Sequence, residues 1–272
     1  MICTRALRFD FAARGATLGP AAPHGLEARS PAAYHQVALN TTRDGALTGA
    51  LSGAVADGVF CEPAHRAPAT QLNFADVDVP QGGVLLLSGN SGTGKSTWLA
   101  LACGLRTASA GELSVAGQSL GALSARQRDA WRAETIGCLP QHLHLSGALT
   151  VRANLGLVFY AAGRREDATA IANALGAVGL LELQHRYPHE LSVGQAQRVA
   201  LARAVLLSPR VLLADEPSAS LDDAASERAI ALLLETARRC NATLVIATHD
   251  ARVCRALESA QVQVQILNLN SK

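Results

Sequence analysis

The residues best suited to chemistry begin in one stretch, VLLLSGNSGTGKST at residues 84–97. Within it Gly89, Gly94, Lys95 and Ser96 satisfy the pattern G-x-x-x-x-G-K-[ST]. Each type has a task in holding the phosphates of a nucleotide. Glycines let the backbone wrap closely, so that several N–H groups face phosphate oxygens. The positive end of the helix that follows adds attraction for anions. Lys95 reaches the β- and γ-phosphates, and the Ser96 hydroxyl is placed to ligate Mg²⁺. The chain has two lysines, Lys95 and Lys272, and arginine supplies the rest of its cationic side chains. The scarce type therefore stands where a compact ammonium suits phosphate.

A second group lies downstream. Asp215 and Glu216 stand side by side after the apolar run VLLA. Asp215 suits holding Mg²⁺, directly or through water. Glu216 suits polarising an attacking water, because phosphoryl transfer needs positioning and charge more than a strong nucleophile. His249 ends another apolar run, TLVIAT, and is placed to contact the γ-phosphate. Gln141 closes the short segment IGCLPQ and is placed to reach the metal or the water.

These residues need a scaffold. Val84–Leu87 reads as a buried strand ahead of the glycine-rich loop, and Trp98, Leu99, Leu101 and Ala102 as the apolar face of the helix behind it. VLLAD (211–215) and TLVIATHD (243–250) read as buried parallel strands with polar groups at their carboxyl ends, where α/β sheets place ligands. RALRFDF (5–11) and LNFADVDV (72–79) alternate like strands of an antiparallel sheet. Residues 111–120 read as strand, turn and strand, and 124–135 as a polar helix capped by Ser124. Helical segments follow from Leu149 to Leu183, broken at Gly163 and near Gly179. Ser192 with Gln195 forms a capping box opening a helix to 207, with Val199, Ala202, Val205 and Leu206 as its apolar face. A helix covers 223–239, another 251–258, and Gln261–Ile266 alternates as a last strand.

The expected fold is therefore α/β: a P-loop NTPase with a parallel core sheet, an N-terminal antiparallel β subdomain, and a helical subdomain over about 141–207. The chain reads as one domain, 1–272, with residues 13–69 as a flexible insertion rich in Ala, Gly and Pro.

Composition sets the outer limits. With 49% hydrophobic and 17% charged residues over 272 positions, the chain has ample core material, and 4% aromatics leave that core to Leu, Val, Ile and Ala. Six scattered cysteines without a CxxC pair point to free thiols rather than a disulfide framework or zinc site. No stretch reads as a membrane span; the nearest, GALTGALSGAVADGVF at 45–60, is short and carries Asp57. No signal peptide is evident.

Taken together and in order, these motifs resemble the ATP-binding subunits of ABC transporters. GNSGTGKS is similar to their Walker A motif, Gln141 to the Q-loop, LSVGQ (191–195) to the LSGGQ signature, VLLADEP (211–217) to Walker B, SASLD (218–222) to the D-loop, and His249 in ATHD to the switch histidine. The resemblance covers residues 70–258 and the strand at 5–11, and LSARQRDAWRAETIGCLPQ looks most like the lipoprotein-releasing, macrolide-export and cell-division group. It implies that Gly89, Asn90, Ser91, Gly92, Thr93, Gly94, Lys95, Ser96 and Thr97 bind ATP, with Phe11 stacking on adenine and Phe9 as the second candidate. It implies metal contacts from Ser96, Gln141 and Asp215, and catalytic roles for Glu216 and His249. Ser192, Gly194, Gln195 and Asp222 are expected to meet the ATP of a second, head-to-tail subunit. The expected cofactors are ATP and Mg²⁺. The expected partners are a second copy of the chain and a separate transmembrane permease that holds it at the inner face of the cell membrane. The implied function is an ATP-driven transport motor, or alternatively a regulatory ATPase that acts on a membrane protein without transport. Chromosome-organising relatives need long heptad repeats between phosphate loop and signature; this interval has none, so no nucleic-acid partner is expected. One departure stands out, Val193 where glycine is usual.

Overall fold

The computed structural model describes residues 1–11, 71–219 and 221–270. The expected insertion at 13–69 and the run at 45–60 lie outside the described residues.

The body contains two five-stranded sheets. The first is antiparallel and is centred on β1 (Ile2–Asp10). Here the reading of 72–79 as one strand needs correction. It forms two short strands, β2 (Gln71–Asn73) and β3 (Val77–Val79), which pair with opposite ends of β1. The cause is a bulge in β1, where Ala6 takes φ +47° and donates its N–H to Asp76 Oδ1 at 2.7 Å. That carboxylate sits in the break between β2 and β3, so the partner strand is interrupted opposite the kink. At the other end Asp10 and Gln71 are direct pairing partners across β1 and β2. The sheet is completed by β5 (Ala110–Val115) and β6 (Gln118–Ser119).

The second sheet is parallel. It contains β4 (Val84–Ser88), β7 (Ile136–Leu139), β8 (Val211–Asp215), β9 (Thr243–Thr248) and β10 (Val264–Asn268), in the order β10-β4-β9-β8-β7. The near-continuous apolar runs of β4, β8 and β9 are what a strand covered on both faces requires. Their residues Leu86, Leu212, Ala214, Leu244 and Ile246 pack with Ile230, Leu233, Leu234 and Ala237 of α6 (Asp223–Arg239) and with Val253 and Leu257 of α7 (Ala251–Ser259). β10 is displaced from the expected 261–266, because Gln261 at φ +50° still belongs to the turn that ends α7. Its edge position leaves it more exposed than its neighbours, which is why its sequence alternates.

The helices are α1 (Lys95–Ala102), α2 (Ala125–Thr135), α3 (Val151–Ala161), α4 (Ala168–Ala177) and α5 (Val193–Val205), besides α6 and α7. The cap of α2 is a full box between Ser124 and Gln127, a pair that the sequence reading had not extended beyond Ser124. α3, α4 and α5 enclose a second apolar cluster containing Val151, Leu155, Phe159, Ile171, Leu175, Val199, Ala202 and Leu206. α5 also turns Ala200 and Leu201 toward the sheet cluster, and Val205 packs there. Val205 thus leaves the face expected for it: it lies one turn beyond Leu201, whereas Val199, Ala202 and Leu206 share the opposite stripe. The five described cysteines are free thiols, and no helix of the described residues is long and apolar enough to cross a membrane.

Candidate functional site

Strand order brings the chemistry together. β9 lies between β4 and β8, so the loops leaving the carboxyl ends of all three strands are neighbours. Lys95 follows β4, Glu216 follows β8, and His249 follows β9. Asp215 pairs with Ala247, and the Glu216 N–H donates to the Ala247 carbonyl at 2.8 Å, which locks the two strand ends in step.

The phosphate loop closes tightly. Gly94 has φ +102° at the N-cap of α1, a conformation that L side chains rarely adopt, and a Cβ there would stand 2.7 Å from Leu72 Cδ1. A Cβ on Gly89 would stand 2.6 Å from Thr93 Oγ1, which itself donates to the Asn90 carbonyl at 2.9 Å. The loop thus curls round the Lys95 ammonium, which donates to the carbonyls of Gly89 and Asn90 at 2.7 and 3.0 Å. Lys95 is buried, and its Nζ lies 3.7 Å from Glu216 Oε1. A buried ammonium at a helix N-terminus is an anion site.

Ser96 Oγ donates to Asp215 Oδ2 at 3.1 Å. Burial pushes the Asp215 carboxyl above its ordinary range and the adjacent Glu216 adds to that rise, while the Ser96 bond and Lys95 oppose it. A carboxylate held short of compensating charge beside a hydroxyl is a hard-oxygen donor set, and Mg²⁺ takes one or two such protein ligands plus phosphate oxygens and water. Among the described residues no group of three or more His, Cys, Asp or Glu gathers into a metal cluster.

Glu216 is the hub. It adopts φ +47°, costly for a residue with a side chain, and its carboxylate is buried. Thr248 Oγ1 donates to Oε2 at 2.8 Å, and His249 Nδ1 lies 2.7 Å from Oε1. The structure therefore joins Lys95, Ser96, Asp215, Glu216 and His249 as a single site. Thr248 belongs to it too, and the sequence reading passed it over. The available signal was a hydroxyl at the carboxyl end of a buried parallel strand, where ligands and their supports collect.

Other expected residues lie apart. Gln141 is exposed past β7, the strand beside β8. Ser192 is the N-cap of α5, its Oγ accepting from Gln195 N at 3.3 Å while its own N–H donates to Gln195 Oε1 at 2.8 Å. Val193 opens that helix and is 63% exposed, and Gly194 has open space around it. Among the described residues no hydrogen bond joins Ser192, Gly194 or Gln195 to the phosphate loop. Asp222 caps α6, accepting from Ala225 N at 2.7 Å. Phe9 is buried with the Arg106 guanidinium over its ring at 5.2 Å, so it has no free face for a base. Phe11 follows β1 directly.

Comparison with known proteins gives a consistent picture. The family described as ABC transporter matches residues 72–219. Methionine import ATP-binding protein MetN 2 of Burkholderia mallei is 38% identical over 241 residues, 86% of this chain and 60% of that protein. Cell division ATP-binding protein FtsE of Escherichia coli is 42% identical over 171 residues, 62% of this chain and 76% of that protein. A solved ATP-binding cassette, dimeric and in a post-hydrolysis state bound to ADP and Pi, superposes with a TM-score of 0.62 at 28% identity, covering 73% of this chain and 86% of that one. The chain spans 53% to 60% of the length of the methionine-import relatives it matches.

Proposed function

Because the chain belongs to the ABC transporter family of ATPase cassettes, we propose that it binds ATP at the phosphate loop, hydrolyses it in a head-to-tail homodimer, and thereby drives a separate membrane permease. The observation that carries the catalytic part is the placement of the buried Glu216 carboxylate between Lys95, Thr248 and His249, at the mouth of the anion site.

The roles follow from that geometry. On binding ATP, Lys95 exchanges the Gly89 and Asn90 carbonyls for β- and γ-phosphate oxygens, a better match for its charge. Ser96 and Asp215 would hold Mg²⁺, which when bound would neutralise charge on the phosphates. Gln141, just past the neighbouring strand, would contact the metal or the water. Glu216 orients and polarises the water that attacks the γ-phosphorus as the bond to the ADP oxygen breaks. His249 steadies Glu216 and the departing phosphate. Phe11 stacks on adenine. Ser192, Gly194 and Gln195 meet the partner subunit's ATP through the N-terminus of α5, and Asp222 links the two sites.

The chain's similarity to methionine-import subunits supports coupling to transport, with the chain seated on the inner membrane face through the permease. The 42% identity to a cell-division protein favours a second reading, in which ATP turnover remodels a membrane protein without moving a solute. Co-purification with a multi-span membrane partner, followed by ATPase and solute-flux measurements on the reconstituted complex, separates them. ATP-stimulated flux supports transport. Turnover without flux of any solute supports the second reading. The absence of ATPase activity in both chain and complex sinks the proposal.

A further inference from the structure

Beyond the residues that face nucleotide, a second polar assembly lies behind Glu216. Its centre is the pair Asp250 and Arg252 at the start of α7. Arg252 Nε donates to both Asp250 carboxylate oxygens, at 3.0 and 2.9 Å, and Nη2 lies 2.8 Å from Oδ2. The remaining arm, Nη1, donates to the Leu221 carbonyl at 2.9 Å and to Asp223 Oδ1 at 3.0 Å. The buried Ser218 hydroxyl donates to Asp250 Oδ2 at 2.8 Å. The Asp250–Arg252 pair thus ties two points between Glu216 and α6 to the first turn of α7, Ser218 through the Asp250 carboxylate and Leu221 through the guanidinium.

The assembly continues into the site. The Asp250 N–H donates to Thr248 Oγ1 at 3.0 Å, and that hydroxyl donates onward to Glu216 Oε2. Along the backbone, Ala219 N–H donates to the Glu216 carbonyl at 3.1 Å, and Leu221 N–H to the Ser218 carbonyl at 3.2 Å. Glu216 stands at φ +47°, a conformation that persists only when its surroundings fix it. Two routes lead from Arg252 to that residue, one through the Asp250 N–H and the Thr248 hydroxyl, the other through Leu221 and Ser218.

We propose that Arg252 is a positioning residue: with Asp250 it braces the chain at Ser218 and at Leu221 against the end of β9 and so sets the placement of the Glu216 carboxylate. The part that concerns hydrolysis rests on the ATPase reading above. The charges support the brace. The Arg252 bond, more than any other influence, holds Asp250 well below the usual carboxylate range, and Asp250 pushes Arg252 above its own ordinary value. Both therefore stay ionised across the working pH range. Arginine suits this task because its planar fork addresses a carboxylate and a carbonyl together, which an ammonium does not.

The test uses Arg252→Gln and Arg252→Lys in the full chain, with Ser218→Ala as a variant that removes a single bond should the glutamine variant fail to fold. Three quantities are read: hydrogen exchange over residues 216–222 without nucleotide, affinity for ATP, and steady-state kcat and KM. In Arg252→Gln, exchange over 216–222 rises and kcat falls about tenfold or more, because small misplacements of a catalytic group cost that much. Affinity for ATP and KM stay within about twofold, since Arg252 touches no nucleotide-binding residue. Arg252→Lys recovers part of kcat by restoring the charge opposite Asp250. Unchanged exchange overturns the brace, and faster exchange with wild-type kcat overturns its positioning role. A wild-type chain that hydrolyses no ATP sinks the proposed function instead, and the exchange measurement then decides the brace alone.

Discussion

Lys95 and Glu216 face each other inside the site with opposite charges 3.7 Å apart, side chains 7% and 9% exposed. Both are largely withdrawn from water, so each is held by the other and by its remaining hydrogen bonds. The lysine's two carbonyl partners are weak acceptors compared with phosphate. On the proposed reading a triphosphate competes for the ammonium, and its arrival is expected to free one side of Glu216 for water.

Lys95→Ala is accordingly expected to lower ATP affinity by about tenfold to a hundredfold, the loss of a charge-assisted bond worth about 1.5–3 kcal/mol. Titration with a fluorescent ATP analogue measures this. Wild-type affinity in the variant would remove the phosphate loop from the mechanism.

Glu216→Gln retains the size of the side chain and still accepts a bond from Thr248, but it polarises water poorly. Turnover should drop about a hundredfold or more while ATP binding persists, in the range of lost acid–base catalysis. Sedimentation with ATP should then show an accumulated dimer, because reopening follows hydrolysis. A variant that turns over at the wild-type rate assigns water activation to another group.

Ser192→Arg removes the cap of α5 and places a long cation where the partner's nucleotide is expected. The cap alone is worth about 1 kcal/mol, a few degrees in melting temperature. ATP-driven dimerisation should be lost while the monomer binds ATP as before. Dimerisation at wild-type affinity would argue against a site shared between subunits.

Replacing residues 14–69 with a short Gly/Ser turn should preserve folding and basal ATP hydrolysis. Asp10 and Gln71 are already cross-strand neighbours, so a tight turn spans the gap. Closure entropy grows only with the logarithm of loop length, so the long segment and a short one differ little in cost. Loss of folding or of ATP binding would show that 13–69 belongs to the core. Loss of partner coupling alone would make it a docking element.

Much of this site was legible in the sequence because each part carries its own local mark. The glycine spacing before Lys95, the acids closing VLLAD and the histidine closing TLVIAT are readable one segment at a time. The parallel strands were legible for the same reason, as buried runs of β-branched and leucine residues. What escaped depended on partners distant in sequence. Thr248 supports Glu216 only because β8 and β9 are neighbours, and nothing within either run states that adjacency. The break between β2 and β3 is set by Ala6, about seventy positions earlier. Val205 falls on the sheet-facing stripe, which periodicity does not separate from the other because both sides of α5 are apolar.

That double burial of α5 has a thermodynamic corollary. Val199, Ala202 and Leu206 complete the cluster with α3 and α4, while Ala200 and Leu201 complete the cluster on the sheet. Pulling the helix from either side exposes apolar surface on the other. Melting α3 and α4 alone would uncover Val199, Ala202 and Leu206 on a helix still docked to the sheet, so heating is expected to give one cooperative calorimetric transition for both clusters. On the proposed reading, any movement of the Ser192 end of α5 is then expected to be a rigid-body rotation over both clusters rather than a partial unfolding.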